Sequence, residues 1–173
     1  QTQYLDSNCK SLLNDYTSAA IVSDICDPSV TVTQLPAIGT MYMGEQTIVV
    51  TLTATDDCSN SSTCSFNVLL EDNTPPTISC PANVTLNAVT GSCEQTHSWT
   101  IPTPSDNCGI ASLTVSPSNP SVNIINIPPT ALALFPVGVT TVTYTATDIN
   151  GNSTTCSFTV TIVDNQPPII SNC

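Results

Sequence analysis

One cassette occurs twice in this chain. Thr53-Ala54-Thr55-Asp56 through Thr63-Cys64-Ser65-Phe66 returns, 92 residues later, as Thr145-Ala146-Thr147-Asp148 through Thr155-Cys156-Ser157-Phe158. Each copy then runs into a proline pair, Pro75-Pro76 and Pro167-Pro168. Repetition at this period describes units that each close their own core and are joined in tandem. The proline pairs fix φ and hold the preceding residue extended. Successive units are therefore expected to follow one another along a roughly straight axis, which a Gly/Ser linker would not impose. Chains built this way serve to reach, display or adhere.

Within the repeats, apolar residues alternate with threonine. Ile48, Val50, Leu52 and Ala54 oppose Val49, Thr51, Thr53 and Thr55, and Val142, Tyr144 and Ala146 repeat the pattern. Cys64, Phe66, Val68 and Leu70, then Cys156, Phe158, Val160 and Ile162, continue it in the next strand. Period two with threonine outward is the mark of half-exposed antiparallel strands. The 14 prolines work against helices. The expected fold class is all-β, as tandem immunoglobulin-like β-sandwiches stapled by disulfides. Seven strands are expected in the second repeat, near residues 77–86, 94–101, 110–116, 122–127, 131–135, 139–147 and 155–163. The last two form a hairpin at Asn150-Gly151. The expected division is residues 1–73, a repeat lacking its first strand; 74–164, a complete repeat; and 165–173, the start of a third.

Charge narrows the partners. One lysine, Lys10, and 13 acidic residues give a formal net charge of −12. Nucleic acid and anionic membranes need Lys and Arg, so neither is expected as a partner. Acidity does keep such a chain soluble, and it admits divalent cations or a basic partner. No apolar run is long enough to span a bilayer, and direct membrane insertion is not expected. No signal peptide is visible, and Gln1 reads as an arbitrary cut or a processed start. Nine cysteines without a C-x-x-C pair point to disulfides in an extracellular or cell-surface setting.

The second repeat resembles a known family. Its carriers are Pro75-Pro76-Thr77-Ile78-Ser79-Cys80-Pro81, Trp99-Thr100-Ile101-Pro102 and Ser105-Asp106-Asn107-Cys108-Gly109. They continue with Phe135-Pro136-Val137-Gly138, Val142 through Asp148, Gly151-Asn152 and Cys156-Ser157-Phe158. Together they resemble the hyalin repeat (HYR) signature. The first repeat departs from it at Asp24-Ile25-Cys26 and at Asp57-Cys58-Ser59-Asn60. The resemblance implies an extracellular immunoglobulin-like module of adhesion and matrix proteins. It also occurs in long arrays within giant surface adhesins of gliding Bacteroidetes, exported by the type IX route. The Lys-poor, Thr/Asn-rich texture and the extra cysteines are closer to the bacterial arrays.

Cys80 and Cys156 share strand parity with core residues, and the family's two-cysteine members keep this pair, so Cys80 is expected with Cys156. Closing that loop is worth about 4 kcal/mol in the chain-entropy picture. Cys93 is then expected with Cys108 and, by homology of position, Cys9 with Cys26. Cys64 is expected to pair with a first-strand cysteine upstream of the chain or, failing that, with Cys58, and Cys173 with the next repeat. A rival pattern joins Cys108 to Cys156 and Cys93 to Cys173.

Asp148, Asn150 and Asn152 offer alternate oxygens in one loop, the way hard cations such as Ca2+ are held. Asp106, Asn107 and Asp72 are the further candidate ligands. The competing reading is that Asp and Asn simply favour tight turns, and Cys58 at the place of Asn150 weakens the metal case in the first repeat. Trp99 is expected in the core beside a disulfide, on one strand face with His97 and Ile101. A lone histidine and no nucleophile elbow give no basis for catalysis, so no enzyme is expected. Three N-x-Ser/Thr sequons, Asn60, Asn83 and Asn152, matter only in a eukaryotic source.

The leading expectation is a structural and adhesive repeat of a long cell-surface adhesin, a stalk or fibre serving attachment and gliding. Its partners would be neighbouring repeats of the same chain, surface polysaccharide or another cell-surface protein. One alternative is a loop-mediated carbohydrate- or protein-binding module using residues 116–136, an insertion rich in Ile and Leu. The other is an ancillary repeat of a secreted enzyme.

Overall fold

The computed structural model describes residues 1–27 and 29–170. The chain divides into two compact units, Gln1–Thr74 and Pro75–Cys173. Among the described residues the secondary structure is β throughout, apart from one 3-10 turn at Thr17–Ala19.

The first unit contains β1 (Thr2–Tyr4), β2 (Lys10–Leu12), β3 (Thr31–Leu35), β4 (Met41–Met43), β5 (Gln46–Thr55) and β6 (Ser61–Glu71). Its larger sheet has the order β1-β6-β5-β3, and β2 pairs with β4 in a second, short sheet. The inward residues of the alternating strands, Ile48, Val50, Leu52, Val68 and Leu70, are buried together with Leu5 and Leu13. Outward threonines stay wet, and Thr51 shares a 2.9 Å hydroxyl hydrogen bond with Ser65 across the strands. The structure corrects one expectation here. The first unit does have a short opening strand, because β1 pairs in parallel with the end of β6, Thr2 opposite Leu69.

The second unit contains β7 (Val84–Asn87), β8 (Glu94–Thr100), β9 (Ile110–Pro117), β10 (Ile125–Ile127), β11 (Thr130–Pro136), β12 (Gly138–Asp148) and β13 (Ser153–Val163). One sheet runs β7-β13-β12-β9 and the other β10-β11-β8, the two-sheet arrangement of an immunoglobulin-like sandwich. Again the first strand lies parallel to the last, Val84 opposite Val160. The strand expected over 77–86 is interrupted. Thr77 makes one isolated bridge to Ser105, and regular pairing starts only at Val84, because Pro81 has no N–H to give a ladder. The strand expected over 122–127 shortens to Ile125–Ile127, since Val122 closes a turn onto the Asn119 carbonyl at 3.1 Å. The insertion supplies both faces: Val122, Ala131, Ala133 and Phe135 are buried, while Ile125, Ile127 and Leu134 are exposed.

Trp99 anchors the core of the second unit. It meets Phe158 edge-on at 5.5 Å and Phe135 at 6.1 Å. Cys80 and Cys156 pack against the same cluster. Its indole N–H donates to the Tyr144 hydroxyl at 2.8 Å, fully inside the sandwich. Tyr144→Phe keeps the shape and strands that N–H, so the second unit should lose about 1–3 kcal/mol in denaturant titration. His97 stacks on Trp99 at 5.9 Å, and burial holds its imidazole below the usual value of 6.5. The folded state therefore binds fewer protons than the unfolded chain as pH falls through that range. The stability that the neutral ring contributes is present above the unfolded pKa and lost as pH falls through the folded one. His97→Phe should flatten stability measured from roughly pH 7 to 5.

Candidate functional site at the loop pole of the second unit

The tight turn between β12 and β13 is built around Asp148, 1% exposed. Its Oδ1 accepts the backbone N–H groups of Asn150 at 2.9 Å and Asn152 at 2.8 Å. Its Oδ2 accepts the Asn152 side-chain amide at 2.9 Å. Gly151, at φ 94°, takes the left-handed position the turn requires. Burial pushes the Asp148 carboxyl upward, but its hydrogen bonds to Asn152, Asn150 and Gly151 outweigh that and hold it below the ordinary carboxylate range.

The loop leading into β9 approaches from the side. Asp106 Oδ2 accepts the N–H groups of Cys108 at 2.8 Å and Gly109 at 3.0 Å. The Ile149 N–H donates to the Gly109 carbonyl at 3.1 Å, tying the two loops together. A carboxylate oxygen of Asp106 thus comes within 4.8 Å of one of Asp148. Residues 75–173 contain neither Lys nor Arg to offset the two charges. Oδ1 of Asp106 and Oδ1 of Asn150 are both buried without a hydrogen-bond partner among the described residues. Asn107 lies alongside, its amide 3.6 Å from the Cys108 sulfur.

Of the candidate ligands, Asp106, Asn107, Asp148 and Asn150 belong to this pole, while Asn152 braces Asp148 through its amide. Asp72 closes the first unit, where its N–H donates to Glu45 at 2.9 Å and its Oδ1 accepts the Thr74 N–H at 3.1 Å. The first unit repeats the turn with Asp56, which accepts the Asn60 N–H at 2.7 Å and its amide at 2.8 Å. The residues shared by the two turns are Asp and the Asn four positions on. That spacing was visible in the sequence, and Cys58 at the place of Asn150 leaves it undisturbed.

The structure joins Cys80 to Cys156, with Cα atoms 5.6 Å apart. Three other expected pairings are not formed: Cys26, Cys58, Cys64 and Cys93 are free and exposed. For Cys93 with Cys108 the obstacle is a strand length. The Cys93 carbonyl accepts from Val137, just before β12, whereas Gly109 meets Ile149 just after it. Eleven strand residues at about 3.3 Å each hold those ends roughly 35 Å apart, and a disulfide needs Cα atoms within about 7 Å. Cys9 and Cys26 are parted by β5 in the same way. The Cys9 carbonyl accepts from Gly44 before that strand, and Asp27, next to Cys26, accepts from Asp57 after it. Cys58 sits at the tip of the β5–β6 turn, while Cys64 lies inside the ladder opposite Leu52. The pairing expected of Cys173 lies outside the described residues.

The profile of the HYR domain matches residues 71–162, more than half of the chain. Hyalin from Strongylocentrotus purpuratus is 36% identical over 138 residues, covering 77% of this chain and 10% of that protein. Hyalin from Lytechinus variegatus is 37% identical over 130 residues, covering 72% and 22%. Sushi, von Willebrand factor type A, EGF and pentraxin domain-containing protein 1 from Mus musculus is 35% identical over 122 residues, covering 67% and 3%. The chain therefore spans a minor part of the length of each relative. Among solved structures it is similar to the fibronectin(III)-like modules of Clostridium thermocellum CbhA, with TM-score 0.41 at 13% identity, covering 89% of this chain and 87% of that one. Sidekick-1 immunoglobulin domains 1–4 give TM-score 0.41 at 12% identity, covering 78% and 40%. With a profile that spans one whole repeat cassette and its proline-pair entry, the chain belongs to the HYR domain family.

Proposed function

We propose that this chain is a tension-bearing segment of an extracellular adhesive array, a stalk or fibre that holds a cell surface to its surroundings. The wider setting, a giant bacterial surface adhesin used in gliding, is part of the same proposal and rests on the sequence resemblance. The observation that carries the reading is the first-to-last strand pairing. In the second unit the chain enters through β7 and leaves through β13, and these strands run in parallel. Tension at the two ends loads their hydrogen bonds together in shear instead of opening them one at a time. The bond from Cys80 to Cys156 shortens the force path further, because 76 residues of sequence separation lie off it. Pulled through its termini under oxidising conditions, the second unit should give no lengthening step. After reduction it should release about 250 Å. The same step in both states would overturn the proposal.

The pole of the second unit suits a hard divalent cation, with Ca2+ the expected ion. Asp106, Asn107, Asp148 and Asn150 would supply oxygens to it. Two carboxylates this close repel by on the order of 3 kcal/mol at an effective dielectric of 20, and a cation removes that cost. Calcium at 100 times its dissociation constant should add about 2.7 kcal/mol, a rise of several degrees in the melting temperature against chelator. Asp106→Asn should abolish the rise while leaving the turn at Asp148 intact. An equal rise in wild type and variant would remove the cation from this site.

A further inference from the structure

The two outward faces of the second unit differ in kind. On the sheet β7-β13-β12-β9, Thr143, Thr145 and Thr147 of β12 point outward, and their partners on both neighbouring strands are all Ser or Thr. On the sheet β10-β11-β8 the outward side is apolar. Ala131, Ala133 and Phe135 are buried, so alternation along β11 turns Leu132 and Leu134 out. Leu132 lies opposite Ile125 of β10, and Ile127 shares the outward side of that strand with Ile125. Ile125 is 48%, Ile127 56% and Leu134 48% exposed. Thr96, Ser98 and Thr100 border them on β8.

Charge is kept off this patch. From Asn107 through Thr147, and again from Gln95 through Ser105, the sequence has no Asp, Glu, Lys or Arg. Glu94, opposite Pro136, is the one charged residue in the three strands. The chain enters and leaves the unit through β7 and β13, and both belong to the other sheet. In a chain of net charge −12, two copies repel wherever acidic loops meet, and they approach without that cost on an uncharged face. Of the two uncharged faces, only the apolar one gains by leaving water. A charged partner would find no counter-charge on it. The surface that matches it in chemistry is the same patch on a second copy.

We infer that two copies pack these faces together, sheet on sheet, through Ile125, Ile127, Leu132 and Leu134. The contact is isologous and closes at two copies, with the side chains interleaving at the roughly 10 Å spacing of stacked sheets. Its apolar area is on the order of a few hundred Å2 per copy, below the ~800 Å2 per partner of a stable dimer. One pair of faces therefore holds weakly and reversibly, and the hold strengthens where several such faces meet at once. The pairing needs neither force nor an ion, so it stands apart from the tension-bearing and cation readings.

The test uses the full 173-residue chain with its free thiols alkylated, so that no disulfide joins two copies. Sedimentation equilibrium and methyl chemical shifts follow association from micromolar to millimolar concentration. A mass rising towards the dimer is expected, with concentration-dependent shifts centred on Ile125, Ile127, Leu132 and Leu134. Added salt screens the net charge and should strengthen the pairing. Ile125→Glu and Leu134→Glu, both at exposed positions, should leave the melting temperature near wild type and weaken association more than about tenfold. Thr155→Glu adds the same charge at an exposed position of β13 and should change association little. Monomers at every concentration, shifts confined to the loops or to the hydroxyl face, pairing that weakens as salt rises, or equal effects of Leu134→Glu and Thr155→Glu would each overturn the inference.

Discussion

Everything in the second unit depends on bringing the beginning and the end of the repeat side by side. β7 and β13 meet in parallel, and a parallel pair needs a long crossover between its members. The five strands in between are that crossover, and they form both sheets of the sandwich. The proline pair sets the entry, and Cys156 sits two residues before the core residue Phe158, so the bond to Cys80 fastens the entering chain directly over the aromatic centre. Packing and covalent closure are consequences of one adjacency.

The same economy of charge that keeps the faces neutral makes the pole expensive. Threonine covers the outward faces and leaves the acidic residues to the loops, where no lysine or arginine of the second unit can answer them. Asp148 is kept ionised by the turn it organises, against the pull of its own burial. Asp106 organises its own loop by accepting two backbone N–H groups. Asp148 is satisfied by its own turn, Asp106 keeps one buried oxygen without a partner among the described residues, and the backbone tie between Gly109 and Ile149 joins the two loops.

The sequence made the fold legible because the alternating strands are long. β12 and β13 emerge within two residues of the bounds expected for them, and β5 and β6 carry the alternation read over 48–55 and 64–70, since period two over ten residues admits one register. The seven strands of the second repeat were countable for the same reason. The short elements were harder to see: β1 is three residues of an exposed edge, and Pro81 splits the expected first strand into a lone bridge and a late ladder. Cysteine partners lie further out of reach. Parity tells which face a cysteine occupies, but not which end of the sandwich it is on. Cys93 and Cys108, the pair left over once Cys80 takes Cys156, are parted by the length of β12. At the pole, the Asp-to-Asn spacing was in plain view, whereas the approach of Asp106 depends on a backbone hydrogen bond that no side chain advertises.

Lys10, the one basic residue, sits in β2 opposite Met43. Its N–H donates to Asp6 Oδ1 at 3.0 Å, and its carbonyl accepts the Asp6 N–H at 2.7 Å. Proteases that cleave after lysine or arginine need an extended, unpaired backbone at the scissile bond. Here they meet a single eligible residue in 173, with its peptide groups engaged on both sides. A chain exposed to secreted digestive enzymes gains durability from what it lacks, and the near absence of positive charge works as protection against a whole class of them.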